Sequence, residues 1–161
     1  MSVLIVIPAR YASSRYPGKP LVPLRGATGE ARPLIRRSWE AARAVAGVDR
    51  VVVATDDERI RAASEAFGAE VVMTSDRCRN GTERCAEALA ELGGEAEIVV
   101  NLQGDAPLTP PWFVEALIAA LRADTAADVA TPVLPLDGAM LERFRADRAR
   151  GLVGGTTAVF G

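Results

Sequence analysis

Between positions 8 and 20 the sequence reads PARYASSRYPGKP, which brings Arg10, Arg15 and Lys19 into one short segment with Ser13, Ser14 and Gly18. Guanidinium and ammonium groups with free backbone amides neutralise phosphate oxygens, and a glycine lets backbone and ligand approach closely. On charge alone the segment reads rather as a solvated basic loop. Its position directly after the apolar run VLIVIP is what favours a ligand. Gly18-Lys19 is followed by Pro20, without the earlier glycine of a Walker A loop, and G-x-G-x-x-G is absent here, so a dinucleotide fold is disfavoured.

A second segment, Asn101–Pro107 (NLQGDAP), also ends an apolar run. Asp105 there could hold Mg²⁺, which takes one or two carboxylates and completes its shell with water and phosphate oxygens. Taken alone, Gly104-Asp105 reads as a turn. Thr55-Asp56-Asp57 closes another run, with Asp57 a candidate helix N-cap. Asn80-Gly81-Thr82-Glu83-Arg84 opens a helix, either as a polar or anion contact or as a simple cap with a charge pair.

The chain contains no histidine, which excludes Ser-His-Asp hydrolysis, imidazole acid–base catalysis and His-ligated metals. Cys78 and Cys85 are too few for a structural zinc site and are expected to be ordinary, unpaired residues. Catalysis must then rest on carboxylates, Lys, Arg, backbone amides or an oxygen-held metal. With 161 residues, 49% hydrophobic and 25% charged, the chain suits one folded domain, expected over 1–161. A net charge of −2 gives no nucleic-acid footprint. The opening MSVLIVIPAR is neither signal peptide nor membrane span, so no membrane partner and a cytoplasmic location are expected.

These segments need a scaffold. Val3–Pro8, Val51–Thr55, Ala69–Met73 and Ile98–Leu102 read as buried strands, with Val129–Leu134 a fifth candidate and Gly151–Phe160 a sixth. Pro33–Ala46, Asp57–Phe67, Gly81–Leu92 and Pro110–Ala123 read as helices, the last two capped by Asn80 and Thr109. Arg25–Arg32 reads as a surface loop. The alternation predicts an α/β fold, a Rossmann-like and mostly parallel sheet with helices on both faces and ligands beyond the strands' carboxyl ends. The last residues, GGTTAVFG, read as a chain entering a strand, so the domain is expected to be incomplete at its C-terminus.

In this order IPARYASSRYPGKPL, ATDD, NGTERCAEAL and VNLQGDAPL strongly resemble the 3-deoxy-manno-octulosonate (Kdo) cytidylyltransferase family, over Val3 to about Pro135. The resemblance implies a nucleotide-diphospho-sugar transferase fold and a transferase of lipopolysaccharide biosynthesis. It couples CTP to a 2-keto sugar acid, Kdo, with Mg²⁺, releasing pyrophosphate, and works as a homodimer. By that resemblance Arg10, Arg15 and Lys19 hold the triphosphate and act in catalysis with Asp105, which ligates Mg²⁺. Ala9 and Ser14 lie at the nucleotide, Gln103 helps recognise cytidine or the sugar acid, and Thr82 and Arg84 belong to the pocket. The chain departs from the family pattern at Cys78-Arg79-Asn80, where a His and a Ser are usual, and at Ala106, usually Glu; both bear on which sugar acid is accepted. A small insertion falls at Ala27–Arg32. Family members continue with a strand-rich sugar-binding region and a second Mg²⁺-binding aspartate, and the Asn-Pro-rich motif expected after Pro135 is missing. The chain is therefore expected to carry the nucleotide half of the site.

Overall fold

The computed structural model of the chain describes residues 2–12 and 16–152. Its centre is β1 (Val3–Ala9), all seven residues of which are buried. A strand covered on both faces needs apolar side chains at every position, which explains the unbroken run VLIVIPA. β4 (Arg50–Thr55) pairs with it in parallel on one side and β6 (Ile98–Asn101) on the other. β5 (Glu70–Met73) adds to β4, giving a fully parallel sheet of order β5-β4-β1-β6.

Alternate residues of β1 serve two cores. Val3, Ile5, Ile7 and Ala9 pack with Ile35 and Ala42 of α1 (Leu34–Arg43), Ile60 of α2 (Glu58–Ala66), and Val114 and Ile118 of α4 (Pro111–Ala123). Leu4 and Val6 face the other way, onto Cys85 and Ala88 of α3 (Gly81–Glu91). Helices on both faces of a parallel sheet are the predicted arrangement. Asp57 caps α2 by accepting from the Arg59 amide at 2.9 Å. Asn80 caps α3 by accepting from the Glu83 amide at 2.9 Å. The cap of α4 falls one residue later than expected, on Pro110, with Pro111 at the first helical position.

Three expectations need correction. Val129–Leu134 is not a strand; its chain is irregular, with Val129 80% and Leu134 78% exposed. Pro132 removes a ladder donor from the middle of this run and Pro135 follows it directly, so its apolar content is not matched by pairing capacity. Arg25–Arg32 is less loop than expected, because β2 (Pro23–Arg25) and β3 (Ala31–Pro33) form an antiparallel hairpin around it. Arg37 of α1 ties the hairpin down, donating to the Leu24 carbonyl at 2.7 Å and the Glu30 carbonyl at 3.2 Å. An unexpected helix, α5 (Gly138–Ala149), follows Asp137, whose carboxylate caps it at the Met140 amide; it buries no side chain. Of the sixth strand candidate, Gly151 and Leu152 lie in a turn and irregular chain, and the rest lies outside the described residues.

Candidate nucleotide site

In the sheet order, β1 leads on to β4 on one side while β6 joins it on the other, so the connections diverge at the β1/β6 boundary. In open parallel sheets the crevice beyond the carboxyl ends at such a point is where ligands bind. A cavity of about 990 Å³ occupies it here. Pro8, Ala9 and Arg10 from the end of β1, Gln103 to Asp105 from the end of β6, and Asn80-Gly81 from the start of α3 line it.

The loop after β6 is pressed onto β1. A Cβ on Gly104 would lie 2.9 Å from the Pro8 carbonyl oxygen, so a side chain there would collide with backbone. The Gly104 carbonyl accepts from Ser38 Oγ at 2.8 Å, and Ser38 is fully buried in α1. This bond fixes the turn that presents Gln103 and Asp105. Gln103 Nε2 donates to Asn101 Oδ1 at 2.7 Å, and its amide lies against Gly81, where a Cβ would come within 3.2 Å of Nε2. Side chains on either glycine would push the α3 N-terminus and the two strand ends apart.

Gly18, just before the lining residue Lys19, adopts φ of 72°, a left-handed conformation that suits glycine. A single-turn 3₁₀ helix, Lys19–Leu21, follows it. Lys19 Nζ meets Asp105 Oδ2 at 2.5 Å, with each side chain about half exposed. Two residues that the sequence placed 86 positions apart are thus one ion pair in the cavity wall. Arg10, Lys19, Arg79 and Arg84 line the cavity with Asp105, but Arg79 is paired with Glu83 and Arg84 with Asp56, so Arg10 and Lys19 are the lining cations placed to meet an anion.

Ala9, Arg10, Lys19, Gln103, Asp105 and Arg84 are therefore brought to one cavity. Ser14 and Arg15 lie outside the described residues. Thr82 is exposed on α3 and is not in the cavity lining. Arg84 is 3% exposed, and its guanidinium is spent on the protein. It donates to Asp56 Oδ2 at 3.0 Å and to Thr74 Oγ1, bracing α3 against the ends of β4 and β5. Burying a guanidinium demands such partners.

Glu87 was not foreseen. Its carboxylate accepts from the Ser75 amide at 2.5 Å, Ser75 Oγ at 2.9 Å and Cys78 Sγ at 2.9 Å, holding the strand-to-helix turn that carries Cys78 and Arg79 into the cavity wall. These bonds hold the Glu87 carboxyl below the usual range, the Cys78 thiol contributing most. Burial, then the neighbouring Glu87 carboxylate, raise the Cys78 thiol above its ordinary value, and burial pushes Cys85 up to about 12. Neither thiol is a ready nucleophile at neutral pH.

Among the described residues no group of three or more His, Cys, Asp or Glu side chains could hold a metal. No helix among them is long and apolar enough to cross a membrane.

The family model described as cytidylyltransferase matches residues 4–146. The chain belongs to the cytidylyltransferase family. It is 53% identical over 160 residues to the 3-deoxy-manno-octulosonate cytidylyltransferase of Maricaulis maris, covering 99% of itself and 60% of that protein. It is 48% identical over 119 residues to the 8-amino-3,8-dideoxy-manno-octulosonate cytidylyltransferase of Shewanella frigidimarina, covering 73% of itself and 46% of that protein. A solved structure of CMP:2-keto-3-deoxy-manno-octonic acid synthetase complexed with CTP superposes with a TM-score of 0.72 at 45% identity. The match covers 78% of this chain and 49% of that one. The chain thus spans about half to three-fifths of the length of these relatives.

Proposed function

We propose that this chain binds CTP in the cavity at the β1/β6 boundary and transfers its cytidylyl group to the 2-keto sugar acid Kdo, releasing pyrophosphate. The observation that carries the reading is the Lys19–Asp105 pair, which joins the basic segment after β1 to the carboxylate after β6 in one cavity wall. The Maricaulis relative and the CTP-complexed structure, both named for this activity, support the nucleotide and the acceptor.

Lys19 and Arg10 offer positive charge to the triphosphate, and Lys19 exchanges its carboxylate partner for a phosphate oxygen. Asp105, released from the lysine, is a half-exposed oxygen donor. A single carboxylate beside phosphate oxygens suits Mg²⁺, which keeps several waters and rarely uses an all-protein cage. When bound there, Mg²⁺ would supply charge neutralisation on the phosphates. The sugar acid's anomeric hydroxyl oxygen forms the new bond to the α-phosphorus, the bond from that phosphorus to the α–β bridging oxygen breaks, and the hydroxyl proton is lost to solvent. Arg10 and Lys19 offset charge as it builds on the departing pyrophosphate. Gln103, held by Asn101 and packed on Gly81, presents a fixed amide to the base or to the acceptor.

A second acceptor is favoured by the Shewanella relative, which carries an 8-amino sugar in its name. Pyrophosphate release with CTP, Mg²⁺ and each sugar acid in turn separates the two. A higher kcat/KM for Kdo supports the first reading, and a higher value for the 8-amino sugar replaces it with the second.

A further inference from the structure

The corner between β4 and α2 holds a chain of contacts that none of the chemistry above uses. Thr55, fully buried at the end of β4, accepts from the Asp57 amide at 3.2 Å. Asp57 grips the Arg59 guanidinium in a fork, Nε to Oδ1 at 3.0 Å and a terminal nitrogen to Oδ2 at 2.6 Å. That guanidinium lies over the ring of Tyr11, its central carbon 3.3 Å from the ring centroid. Tyr11 belongs to the segment leading from β1 to Lys19. Its carbonyl accepts from the Gly18 amide at 2.9 Å, which ties Tyr11 to the residue before Lys19. A Cβ on Gly18 would stand 3.0 Å from the ring's Cε2 and Cζ, tighter than ordinary contact, and the positive φ there already favours glycine. Lys19 is the next residue.

We propose that Arg59 and Tyr11 are positioning residues. Their stacked contact anchors the turn at Gly18 to the β4–α2 corner, and so fixes where the Lys19 ammonium stands. The inference rests on the reading that Lys19 binds the triphosphate. Arg59 does not line the cavity, and its charge is already matched by Asp57, so it acts through Tyr11. Only a planar guanidinium both forks a carboxylate and stacks on a ring, so lysine is a poor replacement. The tyrosine ring, by contrast, can lose its hydroxyl and keep its face.

The test is calorimetric titration of the 161-residue chain with CTP in Mg²⁺, and with CMP. Variants are Arg59→Met, Arg59→Lys and Tyr11→Phe, each in the wild-type and Lys19→Ala backgrounds. Arg59→Met is expected to weaken CTP about twofold to fivefold, the range of a lost exposed cation–π contact, while CMP affinity is unchanged. Arg59→Lys is expected to lose nearly as much, and Tyr11→Phe almost nothing. In the Lys19→Ala background Arg59→Met is expected to cost no further CTP affinity, because coupled residues are not additive. Equal losses for CTP and CMP, or a full Arg59→Met penalty without Lys19, would overturn the positioning role. If the wild-type chain binds CTP no tighter than CMP, the triphosphate reading beneath it fails instead. Arg59→Lys keeps the charge at an exposed site, so at least one informative variant stays folded.

Discussion

Replacing Asp105 by Asn separates the two jobs assigned to that side chain. In the free protein Asp105 holds Lys19 at 2.5 Å, and in the proposed complex it gives up the lysine and contributes an oxygen to Mg²⁺. Both side chains are about half exposed, so solvent screens the pair. Its worth is therefore about 0.2–1 kcal/mol. Without the carboxylate, Lys19 reaches a phosphate oxygen with no ion pair to break, and a negative charge facing the triphosphate is gone. Metal-free CTP should then bind the variant about 1.5- to 5-fold tighter than wild type, the same 0.2–1 kcal/mol expressed as affinity. In Mg²⁺ the order should reverse, because the variant has lost the oxygen donor. Calorimetry in EDTA and in Mg²⁺ reads both arms on the same samples, and urea unfolding checks that the fold is intact. A variant that binds CTP more weakly in EDTA, or that keeps the full Mg²⁺-dependent gain, would refute the reasoning.

Other perturbations probe how the cavity is held. Ser38→Ala leaves the Gly104 carbonyl without its buried donor and should cost about 1–3 kcal/mol in urea unfolding, with weaker CTP binding as the Asp105 loop loosens. Arg84→Met strands Asp56 and Thr74 and should destabilise by about 3 kcal/mol, whereas Lys19→Ala should move stability by less than about 1 kcal/mol. Equal effects on stability would mean that Arg84 is not the brace described. The Cys85 thiol is raised to about 12 by burial, above an unfolded value of about 8.5. A raised pKa means stability that is fully present below the unfolded value and lost as pH rises towards the folded one. The stability advantage of wild type over Cys85→Ala should thus shrink between about pH 8.5 and 12, as read by urea melts at each pH; a constant difference would contradict it.

The sheet was legible because its central strand is buried on both faces, and VLIVIPA admits no other reading. Lys19 and Asp105 were legible for a related reason, since each follows a strand end and parallel strands bring such ends together. What the sequence hid depends on contacts across long separations. Arg84 reads as a cation at a helix start, and only its burial against Asp56 and Thr74 makes it a strut. Ser38 looks like a helix-surface residue until the Gly104 carbonyl is placed above it. Val129–Leu134 reads as a strand by composition, but Pro132 in its middle takes away a ladder donor. The helix Gly138–Ala149 has no apolar stripe to betray it, being capped by Asp137 and buried nowhere.

Cytidylyl transfer from CTP to a 2-keto sugar acid is the proposed reaction of this cavity. Phosphorus NMR of the folded chain with CTP, Mg²⁺ and Kdo tests it most directly. A new phosphodiester signal and pyrophosphate in equal amounts are expected, both lost in Asp105→Asn. An unchanged CTP spectrum from folded, CTP-binding protein, with Kdo or its 8-amino analogue, would contradict it.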